Sequence, residues 1–264
     1  MLHYKIGLTV LICFLLINCE QGQNNDNLPK EVPFDTAQVP MKIDAFQDTI
    51  RQANRFIDTY IVDTLEQRLI DSGLVNIQEM IPGILVDVRY SDTNNFMRTD
   101  VYGHLNRIYL QPTVAADLKK AQENLKERDS SLTLLVYDGV RPRSVQQFMW
   151  DMLDMPIQEK TKFVSNPKNG SVHNFGAAVD LTIADTNGIP LDMGAGYDDS
   201  RKIAYPRFEQ VYLDSGLLSL EQVENRKLLR SVMRAGGFWG IQTEWWHFNR
   251  YSRARCIELF TILE

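Results

Sequence analysis

The chain has 264 residues, enough for one substantial domain with a sizeable core. Apolar residues make up 44% and charged residues 23%, the balance of a soluble globular protein. A net charge of −6 argues against a nucleic-acid partner, which would favour a basic face to neutralise phosphates.

The first segment, MLHYKIGLTVLICFLLINCE, carries one lysine and then an apolar run from Ile6 to Ile17. That run falls short of the ~20 residues a spanning helix needs. A charged start with a short apolar core reads as a secretory signal. It ends at Leu16-Ile17-Asn18-Cys19, which resembles a bacterial lipoprotein lipobox, with Asn18 in place of the usual small residue. Residues 1–18 are therefore expected to be a lipoprotein-type signal peptide, with Cys19 as the lipid-carrying residue of an exported, periplasmic, membrane-anchored protein. A plain cleaved signal, or an uncleaved anchor with a chance cysteine, is the alternative. Cys13 and Cys19 belong to this segment, and Cys256 has no partner. A disulfide framework and a cysteine-rich zinc knuckle are thus excluded, and Cys256 is expected to be a small buried apolar residue.

Residues 19–43, rich in Gln, Asn, Asp and Pro, read as a flexible tether. From Asp44 to about Ile70 the apolar residues Phe46, Ile50, Ala53, Ile57, Ile61, Leu65 and Leu69 recur at helical spacing. We read 44–75 as a helical extension that packs on the main domain, residues 76–264. Within that domain 84–90 alternates as a strand and 106–110 is a short strand. Pro112 to Arg128 is helical, with Val114, Leu118, Ala121 and Leu125 on one face. Residues 131–139 form a strong strand, and 141–153 a helix opened by Pro142. Residues 177–184 are a strand, 221–235 a helix, and 237–250 ends in an aromatic strand. Strands and helices do not alternate regularly, so the expected class is α+β with a mixed or antiparallel sheet and flanking helices.

The chemistry-bearing residues fall in three stretches. His3 lies in the signal and His104 in a polar loop, YGHLNR, where it reads as a surface residue; His173 and His247 remain. A catalytic zinc commonly takes three protein ligands and keeps one position for water. Asp180, in AAVDLTIA, is the natural third ligand. Its neighbours Val179 and Leu181 should point into the core, leaving a carboxylate on the cleft side that a metal would compensate. In EWWHF, Glu244 precedes His247 by three residues and could serve as general base. Residues three apart face opposite sides of an ideal strand, so the two can share a site only if the chain bends, bulges or begins its strand between them. In YDGVRPRS, Arg141 sits between strand and helix and offers a forked, permanently charged donor for an oxyanion. Each stretch alone has a bland reading: a hydrogen-bonded His–Asp pair, packed tryptophans, and a turn.

At these residues the chain resembles the VanX-type D-alanyl-D-alanine dipeptidases, zinc peptidases akin to D,D-carboxypeptidases that share a fold with the hedgehog signalling domain. The SxHxxGxAxD pattern is met by Ser171, His173, Gly176, Ala178 and Asp180. ExWH is met by Glu244, Trp246 and His247, and DGxRP by Asp138, Gly139, Arg141 and Pro142. The resemblance covers about residues 76 to 250. It implies one zinc ion on His173, Asp180 and His247, with Glu244 as general base and Arg141 stabilising the tetrahedral intermediate. It further implies Tyr90 and Asp198 near the substrate amino group and Ser171 near its carboxylate. EWWH in place of EPWH points to the dipeptidase branch. The implied activity is hydrolysis of the small dipeptide D-Ala-D-Ala in cell-wall turnover. The alternatives are a D,D-carboxypeptidase or peptidoglycan endopeptidase of the same fold, or a non-catalytic wall-binding lipoprotein that keeps zinc as structure. A binding module has no need of Glu244 or Arg141.

Overall fold

A computed structural model describes residues 65–264. The expected signal, the tether and the extension up to residue 64 lie outside the described residues. What is described of the extension is α1 (Leu65–Asp71), which turns Leu65 and Leu69 into the core. In chain order there follow β1 (Val75–Asn76), α2 (Ile77–Met80), β2 (Leu85–Val86), β3 (Tyr109–Leu110), α3 (Pro112–Arg128) and β4 (Leu132–Asp138). Then come α4 (Arg143–Met152), α5 (Ile157–Lys160), β5 (Ala178–Asp185), α6 (Glu209–Asp214), α7 (Leu220–Ala235), β6 (Trp239–Gly240), β7 (His247–Asn249) and α8 (Arg253–Leu259).

The main sheet has five strands in the order β2-β4-β5-β7-β6. β2 runs parallel to β4, and the other neighbours are antiparallel. This is the α+β arrangement expected. α3 starts at Pro112, whose missing N–H costs nothing in the first turn. It buries Val114, Leu118, Ala121 and Leu125, the stripe read from the sequence. α7 is opened by a reciprocal cap: Ser219 Oγ accepts from the Gln222 N–H, and Gln222 Oε1 accepts from the Ser219 N–H. These helices cover the sheet face formed by Leu134, Val136, Val179, Leu181 and Ile183. Cys256 is buried and free, as expected.

Two expected strands are shorter than their sequence patterns. Only Leu85–Val86 of the 84–90 stretch is strand, because the chain leaves the sheet in a 3-10 turn at Arg89–Ser91. The Tyr90 carbonyl there accepts from the N–H groups of Val101 and Tyr102, and the Tyr90 ring turns inward, 1% exposed. Burying that ring and pairing its carbonyl outweighs the alternation that favoured a strand. Of 106–110, only Tyr109–Leu110 is strand, paired with β1 in a separate two-stranded sheet. Among the described residues no helix is long and apolar enough to cross a membrane.

Candidate metal and active site

β5 alternates across the sheet. Val179, Leu181 and Ile183 enter the core, while Asp180 and Thr182 face the other side, both buried. β7 runs antiparallel beside it with Asp180 opposite His247, so two candidate ligands become a cross-strand pair. Glu244 lies in the bend before β7, and His247 is the first strand residue. The break in the strand between them is what the sequence required. Glu244 Oε2 stands 4.0 Å from His247 Nδ1.

The third candidate ligand comes from a 3-10 turn, Val172–Phe175. Gly176 closes it at φ 64°, the left-handed region. A Cβ there would stand 3.1 Å from Leu74 Cδ2 and 3.3 Å from the Gln111 nitrogen, whose N–H is bonded to the Gly176 carbonyl. Both backbone angle and space therefore call for glycine. Buried Asn174 ties the turn to the next segment by donating to the Arg141 carbonyl and to Gln146 Oε1.

The donor geometry fits a metal ion. His173 Nε2, His247 Nδ1 and Asp180 Oδ1 lie within 4.8 Å of one another. The separations are 3.1 Å between the two nitrogens, and 3.3 and 3.0 Å from His173 and His247 to the carboxylate oxygen. Donors on a tetrahedral centre with bonds of ~2.0–2.2 Å stand about 3.3–3.6 Å apart, so closing on an ion needs only a slight spreading. The opposite ring nitrogens are already engaged: His173 Nδ1 with the Gly139 carbonyl at 2.7 Å, His247 Nε2 with Asn249 Oδ1 at 3.0 Å. Neutral rings that donate through those nitrogens turn two lone pairs toward each other beside a carboxylate, an arrangement that calls for a cation. Burial alone would raise the Asp180 carboxyl, but His173 and His247 beside it hold it well below the usual carboxylate range. Burial alone would lower His247, but Asp180, Glu244 and Asn249 push it up to about 9. A proton there occupies the place a metal would take.

Arg141 is 7% exposed and donates from Nε and Nη2 to Asp138 Oδ2, at 3.0 and 2.5 Å. Burial would lower its pKa, but Asp138 raises it well above the ordinary value, so the charge stays. Tyr90 packs its ring 4.9 Å under the guanidinium and its hydroxyl reaches both Asp198 oxygens at 3.2 Å. Asp198 adopts φ 60°, and burial with Asp180 nearby pushes its carboxyl up to about 8. Burial also raises Glu244, partly offset by His247. Ser171 Oγ donates to Gln146 Oε1 at 2.9 Å.

All eight residues singled out in the sequence line one cavity of about 440 Å³, within the common pocket range of about 300–1,000 Å³. His104 is exposed and outside it, as its loop reading held. Sequence reasoning missed the supporting residues Asn249, Gln146 and Tyr197, whose hydroxyl donates to Asp180 Oδ2 at 3.1 Å. Asn249 was findable as a same-face partner two residues from His247. Tyr197 and Gln146 carry no local signal, since their partners lie 17 and 25 residues away in the chain.

An α+β fold that brings a His–Asp–His group able to hold a metal, a carboxylate and a buried arginine into one cavity has the parts a metallopeptidase requires. Comparison with known proteins agrees. The family described as D-ala-D-ala dipeptidase, among the M15 peptidases, matches residues 71–258, and the chain belongs to it. The fold is accordingly the hedgehog/DD-peptidase-like one. Among relatives, a D-alanyl-D-alanine dipeptidase of Escherichia coli (strain K12) is 30% identical over 176 residues, 67% of this chain and 83% of the relative. Proteins of the same name from Streptomyces coelicolor and Enterococcus faecalis are 33% and 28% identical, over 66% and 68% of this chain and 89% and 92% of theirs.

Proposed function

We propose that this protein is a zinc-dependent dipeptidase that hydrolyses D-alanyl-D-alanine to two D-alanines in cell-wall peptide turnover. The observation that carries the reading is the convergence of His173 Nε2, Asp180 Oδ1 and His247 Nδ1 in the cavity that also holds Glu244 and Arg141. The names of the relatives supply the substrate. Two imidazoles and a carboxylate suit zinc. When bound, the ion supplies Lewis acidity that makes a water nucleophilic near neutral pH and polarises the peptide carbonyl.

The chain's own residues do the rest. Glu244 takes a proton from the attacking water at its carboxylate and passes it to the leaving amine. Its raised pKa brings it closer to the working pH of such a base. Arg141 meets the charge that builds on the carbonyl oxygen. Asp138 takes two of its five N–H donors and sets the plane of the fork. Tyr90 and Asp198 hold the substrate ammonium, and Ser171 its carboxylate. We further propose that residues 1–18 export the chain and that a lipid on Cys19 anchors it through the 19–43 tether.

The test is hydrolysis of D-Ala-D-Ala by zinc-loaded protein, with L-Ala-L-Ala as control. Intact D-Ala-D-Ala alongside trimmed peptidoglycan peptides would replace this reading with the carboxypeptidase or endopeptidase one. Glu244→Ala should keep the metal and lose about 10²–10⁴-fold in kcat/KM; undiminished turnover removes Glu244 from the mechanism.

A further inference from the structure

After α8 the chain continues as a short irregular tail, residues 260–264. The tail lies beyond the stretch that matches the family, residues 71–258. None of its residues lines the catalytic cavity. It nevertheless reaches the back of that site. The Leu263 N–H donates to the Asn174 carbonyl at 2.8 Å, and the Leu263 carbonyl accepts from the Arg143 N–H at 2.7 Å. Asn174 follows His173 in the ligand-bearing turn, and Arg143 opens α4 just after Arg141 and Pro142.

These two bonds close a mesh. The Arg141 N–H donates to the His173 carbonyl at 3.1 Å, and Asn174 Nδ2 donates to the Arg141 carbonyl at 2.7 Å. The first N–H of a helix has no partner within that helix, so Leu263 answers a group that α4 itself leaves open. Apolar side chains seat the tail: Phe260, Ile262 and Leu263 pack on the core. Ile262 also lies close to Gly170, where a Cβ would stand 3.1 Å from Ile262 Cδ1. The Glu264 carboxylate pairs with the Arg143 guanidinium, but the two side chains are 60% and 39% exposed, and exposed pairs contribute little. The main-chain bonds of Leu263 are therefore what couples the tail to the site.

We infer that Leu263 is a positioning residue: its main chain fixes the turn bearing His173 against the segment bearing Arg141, and so sets zinc affinity and the placement of the arginine together. The inference rests on the zinc dipeptidase reading above. Metal bonds keep their lengths within ~0.2 Å, so the backbone that carries a ligand must be held as well as its ring. The Gly139 carbonyl holds the His173 ring through Nδ1. Arg141 and, through Asn174, Leu263 hold its backbone. Because the tail touches no substrate, loosening it acts on the metal and on kcat and spares KM.

The test cuts each bond separately. Leu263→Pro removes the donating N–H and keeps an apolar side chain, while Leu263→Ala keeps both main-chain bonds and loses packing. Arg143→Pro removes the other N–H. The first position of a helix accepts proline, and Pro142 before it already sits at φ −54°, ψ 148°. Arg143→Ala is its control. Zinc affinity, read by competition with a chelating dye, should fall about 10-fold or more in both proline variants and stay within about two-fold of wild type in both alanine variants. At saturating zinc, kcat for D-Ala-D-Ala should fall about five-fold or more in the proline variants, with KM within about two-fold. Either proline variant serves if the other does not fold. Folded proline variants that bind zinc as wild type does overturn the inference. Alanine variants that lose as much as the proline ones also overturn it, because they place the effect in side-chain packing. A wild type that binds zinc but leaves D-Ala-D-Ala intact overturns the dipeptidase reading, and zinc affinity alone then decides the role of Leu263.

Discussion

The two ring nitrogens of His247 have different jobs. Nδ1 faces His173 and Asp180, and Nε2 meets Asn249 Oδ1 at 3.0 Å. Asn249 thus favours the tautomer whose inward nitrogen can take a metal in place of the proton. Asn249→Ala should weaken zinc binding about 10-fold, read by competition with a chelating dye; unchanged affinity would deny Asn249 this role. Asp198 is a second single-residue case. An acid whose folded pKa lies above its unfolded value costs stability wherever the unfolded chain would ionise it. With the folded value at about 8, the cost is absent below about pH 4, grows between there and pH 8, and is constant above. In substrate-free protein Asp198→Asn should therefore add ~1–3 kcal/mol at pH 8, after allowance for its partial exposure, and nothing at pH 4. Urea unfolding at the two pH values measures this, and an equal gain at both would contradict it. On the proposed role of Asp198 as partner of the substrate ammonium, the same change should raise KM for the dipeptide. The residue types at the site were legible because few side chains ligate metals, and the chain offers only four histidines. Tyr197 and Gln146 were not, because a tyrosine or glutamine reads identically whether it packs or supports a ligand.

At the scale of elements, irregularities aim the site. The register between β4 and β5 shifts between Val136 and Asp138, and this brings Asp138 opposite Asp180. Without the extra residue Asp138 would pair one position further along and turn toward the core face. The shift sets Asp138 where it clamps Arg141. Asp138→Ala leaves a buried guanidinium with only Asp180 Oδ2, 3.8 Å away, as a carboxylate neighbour and should cost about 3–5 kcal/mol of stability, measured by chemical denaturation; a loss below 1 kcal/mol would show that Asp138 is not the principal partner of Arg141. A second device sits on α7. Arg226, 0% exposed, donates to the carbonyls of Met193 and Ile203, tying down the loop that carries Asp198. Long, strongly patterned elements such as α3 were legible in the sequence, since burial follows their period. The short strands β1 and β6 were not, because two residues carry no period to read.

At the scale of the whole molecule, the candidate ligands come from a turn and two strands, with His173 and His247 separated by 74 positions in the chain. A metal that bridges them binds only the folded state. At ligand 100-fold above its dissociation constant, this is worth about 2.7 kcal/mol. Chelation should therefore lower Tm by about 5–10 °C in a unit of this size. Calorimetry with and without chelator tests it, and an unchanged Tm would argue against a metal on these three side chains.

Composition, period and spacing by themselves determined the α+β class, the long helices and strands, and which histidines, carboxylates and arginine were worth uniting. Those signals are local: a side chain's type, and its repeat along one element, need no knowledge of the rest of the chain. The tertiary structure decided what depends on distance between remote segments. It set the registry of Asp180 against His247, the inward turn of the chain at Tyr90 and the bulge that delivers Asp138 to Arg141. No local pattern encodes these, because each comes from packing residues that are far apart in sequence into one place.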